Sequence, residues 1–172
     1  LECARAAGDR YCEAKVTIRL GWLHLEQGRM DEARAQHIAA MKMARELGDR
    51  RLECWAMRAL GSVDFDEGRI DEALLHYERA DAMARELGDL QLESEALQGL
   101  GNLYSQEGRI DQALLHYERA LAMAREAGSR RLQGNLLGNI ANQHDSLGHM
   151  EQAQARNEEA LAIAREMGYR QL

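Results

Sequence analysis

Gly108-Arg-Ile-Asp-Gln-Ala-Leu-Leu-His-Tyr-Glu-Arg-Ala-Leu-Ala-Met-Ala-Arg-Glu-Ala-Gly128 is the stretch whose reading decides the fold. Forty residues earlier, from Gly68 to Gly88, the chain writes it again, changed only at Glu72/Gln112, Asp81/Leu121 and Leu87/Ala127. Looser copies run from Gly28 to Gly48 and from Gly148 to Gly168. A period of forty residues with glycines in register marks a stacked repeat array, in which each unit buries its apolar face only against its neighbours.

The composition agrees. Among 172 residues proline is absent and Phe occurs once, while Ala, Leu, Glu, Arg and Gln dominate, which favours helix throughout and argues against a sheet. The formal charge is −7 with both signs interspersed along every helix, so no basic face offers itself to phosphate backbones and no direct nucleic-acid partner is expected. Cys3, Cys12 and Cys54 lack CxxC spacing and read as small buried or half-buried side chains in a reducing cytosol. No apolar run approaches the roughly 18 residues of a membrane span, and no signal peptide is visible, so the expected location is cytoplasmic with no membrane partner. The chain lacks an initiator Met, opens on the tail of a repeat (residues 1–8) and closes on the start of another (169–172), as if cut from a longer array.

Each forty-residue unit divides into two helical halves. Helices A are expected over roughly 10–27, 50–67, 90–107 and 130–147, and helices B over roughly 30–47, 70–87, 110–127 and 150–167. The repeats thus cover about 9–48, 49–88, 89–128 and 129–168 of a single array, 1–172. Gly48, Gly88, Gly128 and Gly168 stand where a helix ends in a left-handed residue, and Asp9, Asp49, Asp89 and Ser129 follow as caps for the next helix. Acidic residues open each helix B and Arg45, Arg85, Arg125 and Arg165 close it, both placements opposing the helix dipole. Linkers of about two residues force A and B to be antiparallel neighbours. The fourth unit is the weakest, with Gly134 and Gly138 inside its helix A and Gln143 and His144 where the third has Leu103 and Tyr104.

At these positions the chain resembles the tetratricopeptide repeat. The third unit supplies Leu100-Gly101, Tyr104, Ala113, Tyr117 and Ala120; the second Leu60-Gly61, Asp64, Ala73, Tyr77 and Ala80; the first Leu20-Gly21, His24, Ala33, His37 and Ala40. The fourth drifts to Ile140-Ala141, His144, Ala153, Asn157 and Ala160. The family's usual proline near the end of helix B is replaced by the four arginines. With the forty-residue period, that is similar to the extended subtype of kinesin light chains, Pins-type spindle adaptors, and bacterial signalling ATPases and peptide sensors. The resemblance implies an all-α, right-handed α-solenoid of antiparallel helix pairs, whose helices A line a concave groove that binds peptides or partner helices.

That groove is expected on a second stripe of helix A, at spacing i, i+3, i+7, i+10. The stripes read Lys15, Ile18, Trp22, Leu25; Trp55, Arg58, Ser62, Phe65; Glu95, Gln98, Asn102, Ser105; and Asn135, Gly138, Asn142, Asp145. Asn102 and Asn142 resemble the family's groove asparagines, whose amide offers a donor and an acceptor to an extended peptide. Trp22, Trp55 and Phe65 are candidate anchors for an apolar side chain, and Lys15 and Arg58 for a carboxylate. His76 and His116 read as solvated residues on the outer face of helix B. His144, Asp145 and His149 permit at best a weak metal site, and no HExxH or paired CxxC supports one. No phosphate loop, nucleophile elbow or dinucleotide motif is present, so neither enzyme activity nor cofactor is expected. The reading is a non-catalytic protein- or peptide-binding scaffold, with a self-associating segment or the sensing arm of a bacterial signalling ATPase or regulator as alternatives.

Overall fold

The structure, a computed structural model, describes residues 9–168, so the expected partial repeats 1–8 and 169–172, and Cys3, lie outside it. The described residues form eight α-helices and no strand: α1 Arg10–Glu26, α2 Met30–Leu47, α3 Arg50–Asp66, α4 Ile70–Leu87, α5 Leu90–Gln106, α6 Ile110–Glu126, α7 Arg130–Ser146 and α8 Met150–Glu166. Odd helices are helices A and even ones helices B. The fold is all-α and solenoid-like. No described helix is long and apolar enough to cross a membrane.

Local chemistry sets the boundaries. Asp9, Asp49 and Asp89 accept from the backbone N–H of Cys12, Leu52 and Leu92 at 3.0, 2.9 and 3.1 Å. These bonds satisfy donors that a helix start leaves over. Ser129, expected to do the same, makes no such bond; its hydroxyl sits on a stem one bond shorter than the aspartate's. Helix α2 ends at Gly48, where φ is +66° and the Asp49 N–H reaches back to the Ala44 carbonyl at 2.9 Å. A side chain at Gly48 would strain that left-handed turn.

The chain forms two compact units, Leu1–Gly88 and Asp89–Leu172. In the first, α1 packs on α2, α2 on α3 and α3 on α4; in the second, α5 to α8 follow the same order. Within each unit the backbones of the two helices A also come close (α1 with α3, α5 with α7), whereas among the described residues the helices B α6 and α8 meet through the side-chain ion pairs Arg125–Glu159 and Arg156–Glu118. Helices A are therefore the crowded, inner layer of each unit.

The core of the first unit is built on Ala14, Ile18, Ala40, Ala44, Leu52 and Ala56, with Leu25, Ala33 and Val63 in a second cluster. Small residues on helix B let the bulkier residues of helix A come close. The tightest fit joins a glycine on helix A to a ring on helix B of the same repeat. A methyl at Gly61 would come within 2.9 Å of the Tyr77 ring, and one at Gly21 or Gly101 would overlap His37 or Tyr117. The fourth repeat has Ala141 at this position, buried, and Asn157 in place of the ring, exposed. A second tie recurs between helices A and B. Cys54 Sγ donates to the Ala80 carbonyl at 3.3 Å and Ser94 Oγ to the Ala120 carbonyl at 2.7 Å. Cys12, in the first turn of α1, is exposed, contrary to expectation.

Candidate functional site

In the first unit the expected binding stripe divides. Ile18 is fully buried in the core among Ala14, Ala40 and Ala44, so it belongs to the scaffold and offers no surface to a ligand. Leu25 is buried too. At 100° per residue the four positions of a stripe fan over about 80°, and Ile18 and Leu25 lie on the edge nearer the core. Lys15, Trp22, Trp55, Arg58, Ser62 and Phe65 are all half-buried, with part of each side chain open to solvent. The Lys15 ammonium lies 5.2 Å from the Tyr11 ring centre, and the Arg58 guanidinium 4.9 Å from the Trp22 ring centre, both in cation–π range. Trp55 packs one edge on the core cluster.

Beneath this stripe lie groups that the sequence reading left out, on helix B. The Tyr77 hydroxyl donates to Ser62 Oγ at 3.0 Å. Burial pushes the phenol up to about 12, with the Ser62 bond working against the shift. One repeat earlier, Trp22 replaces the serine and His37 the tyrosine. The two rings meet edge-on at 5.7 Å, and neither His37 nitrogen has a hydrogen-bond partner among the described residues. Burial, reinforced by the Arg58 charge, holds the His37 imidazole down at about 4, hence neutral. The signal available in the sequence was the constant step of fifteen residues from position 22 to 37, 62 to 77 and 102 to 117.

In the second unit the stripe is amide-rich. Asn102 is half-buried, and its Oδ1 accepts from the Tyr117 hydroxyl at 2.8 Å and from Asn139 Nδ2 at 3.3 Å. Ser105 Oγ accepts from Gln143 Nε2 at 2.9 Å. Burial raises the Tyr117 phenol to about 12, opposed by its contact with Ser105. Gln98 is half-buried, whereas Asn135 and Asn142 are exposed. Thus α5, α6 and α7 join in one polar network around Asn102, while Asn142 stands outside it.

The turn side of the second and third repeats carries a trio, again outside the expected stripe. In the second repeat, Asp64 is buried and accepts from Arg69 Nε at 3.0 Å, Arg34 Nη2 at 2.6 Å and His76 Nδ1 at 2.7 Å. Glu67 pairs with the same two arginines. In the third, Tyr104 takes the place of Asp64, with the Arg109 guanidinium 4.5 Å from its ring centre and the His116 ring stacked at 5.1 Å. His76 and His116 are therefore half-buried partners of helix A, not the solvated residues expected of them. His144 and His149 sit 6.0 Å apart in the fourth repeat. Among the described residues no group of three or more His, Cys, Asp or Glu is arranged to hold a metal ion.

The sequence profile described as "Tetratricopeptide repeat" matches residues 12–86, 54–126 and 92–166, overlapping windows that span most of the chain. No curated protein matches the sequence. Among solved structures the chain is similar to aspartyl phosphate phosphatase F from Bacillus subtilis, at 17% identity and TM-score 0.83, covering 93% of this chain and 42% of that one. It is similar to BtubC from P. vanneervenii at 21% identity and TM-score 0.74, covering 95% of this chain and 68% of that one. A STAND protein with a tetratricopeptide repeat sensor from Pyrococcus horikoshii matches at 19% identity and TM-score 0.70, over 94% of this chain and 26% of that one. A Rap protein complexed with competence and sporulation factor matches at 14% identity and TM-score 0.84, over 92% of this chain and 44% of that one. The chain thus spans less than half the length of three of these four. At such identities the likeness is one of fold.

Proposed function

We propose, for a chain that belongs to the tetratricopeptide repeat family, that it is a non-catalytic interaction module whose inner helices A bind a peptide or partner helix. The observation that carries this reading is where the repeats diverge. Helices B of the second and third repeats are nearly identical, while positions 22, 62, 102 and 142 hold Trp, Ser, Asn and Asn. A repeated scaffold leaves the inner face free to carry different side chains in each repeat, and stacked arrays use such surfaces for binding. The first unit offers indole, phenyl and two cations through Trp22, Trp55, Phe65, Lys15 and Arg58, chemistry suited to an apolar anchor beside a carboxylate. The second offers Gln98, Asn102, Ser105, Asn135 and Asn142, chemistry suited to a peptide backbone.

Random soluble decapeptides screened against the wild type and an Arg58→Ala, Asn102→Ala, Asn142→Ala variant test this. Peptides retained by the wild type and lost by the folded variant support the inner face. If neither protein retains a peptide and light scattering grows with concentration, the array is a self-associating segment. A second reading, the sensing arm of a larger signalling protein, is favoured by the likeness to the STAND protein described with a tetratricopeptide repeat sensor. A nucleotide-binding loop encoded beside this segment in its gene would support it.

A further inference from the structure

The expectation for Asn102 was a two-way clamp, donor and acceptor together. Its surroundings narrow that. Oδ1 already accepts two hydrogen bonds, from Tyr117 on α6 and Asn139 on α7. A carbonyl oxygen has two lone pairs, and both are engaged. No described residue accepts from Nδ2, and Nδ2 is not among the buried atoms left without a partner. The group left for a ligand is the NH2 alone. In the second repeat the matching pair is Tyr77 and Ser62, and a serine hydroxyl that rotates fixes no such direction. The orientation is a property of the third repeat.

We propose that Asn102 is a one-way hydrogen-bond donor, with Tyr117 and Asn139 as the residues that position it, and that it meets an acceptor oxygen on the bound segment. This rests on the inner face being the binding face. The acceptor is a backbone carbonyl or a C-terminal carboxylate, which share this chemistry. A backbone N–H is refused, since it would face the NH2 donor to donor.

Asn102→Asp tests the orientation without any ligand. Asp keeps an oxygen acceptor for both Tyr117 and Asn139 and removes only the NH2, whereas Asn102→Leu removes both bonds. The Asp variant is expected to melt within about 2 °C of wild type and the Leu variant at least about 4 °C lower. Equal losses in the two variants would overturn the assignment, because an oxygen that Tyr117 and Asn139 both donate to is what the Asp variant preserves and the Leu variant removes. In Tyr117→Phe the Asn102 side-chain amide signals of a proton–nitrogen correlation spectrum are expected to shift or broaden; unchanged signals would remove Tyr117 from its positioning role.

The binding arm uses random decapeptides made both as free acids and as C-terminal amides. Peptides bound by wild type are expected to lose at least tenfold in affinity for Asn102→Asp, and retained affinity sinks the donor role. Loss on amidation identifies the carboxylate as the acceptor, and indifference to amidation a backbone carbonyl. If wild type holds no decapeptide, the binding reading fails, while the melting comparison still decides the orientation.

Discussion

Asp81 is the one buried difference between two helices that are otherwise copies. Glu72/Gln112 and Leu87/Ala127 are exposed, but Asp81 is 5% exposed and its counterpart Leu121 is fully buried. Arg85 bonds one carboxylate oxygen, and the other is buried without a partner. A buried, half-satisfied carboxylate costs about 1–3 kcal/mol. Asp81→Leu is therefore expected to raise unfolding free energy by about 1–2 kcal/mol in urea titration, since the Arg85 side chain it releases is already half exposed to water. His37 is the second residue with a calculable consequence. Its folded pKa, about 4, lies below the ordinary value of 6.5, so the unfolded chain binds more protons between those pH values. Stability from this residue is then complete above about pH 6.5, declines as pH falls, and is exhausted near pH 4, a loss of about 3 kcal/mol. His37→Phe is expected to flatten the wild-type slope of stability across that window. The environment of His37 was not legible in the sequence, because Trp22 and Arg58 come from other helices, whereas the Arg85 partner of Asp81 sits four residues on in the same helix.

Between helices, the glycine-to-ring fit decides what each pair tolerates. Gly101→Ala drives a methyl into the Tyr117 ring and is expected to cost about 1–3 kcal/mol. Gly138, on the neighbouring helix A, faces open space, so Gly138→Ala is expected to gain up to about 1 kcal/mol from helix propensity. Thermal melts of the two variants should move in opposite directions. The turn-side trios show the same economy with different chemistry. Arg69 and His76 enclose a carboxylate, and Arg109 and His116 enclose a phenol at the same register. Removing the carboxylate by Asp64→Ala leaves Arg34, Arg69 and Glu67 around a void, and a loss of about 3 kcal/mol is expected on chemical unfolding. Helix existence and length were readable from glycines and the 3.6 period. The phase of each inner stripe was not, which is why Ile18 was placed on the surface and His116 in solvent.

For the whole chain, a stacked array opens from its weaker parts, because each repeat is held only by its neighbours. Helix α8 buries only Ala153 and Ile163, fewer than any other described helix. Amide exchange is expected to run fastest in α7 and α8, and uniform protection over all four repeats would contradict that. The fold was legible because forty-residue repetition writes the same boundary signals four times. The site was legible only as a list of side chains, since the bonds that orient Asn102 come from residues 15 and 37 positions away. The glycine-to-ring fit also bears on how such a gene can change length. A crossover within the near-identical helices B of the second and third repeats sets Gly61 against Tyr117, or Gly101 against Tyr77, and every ring still finds its glycine. One that joined the fourth repeat's helix A to the third's helix B would press Ala141 into Tyr117. Repeats of the central kind can thus be gained or lost by unequal exchange without damage, whereas the fourth is inherited as a whole hairpin or not at all.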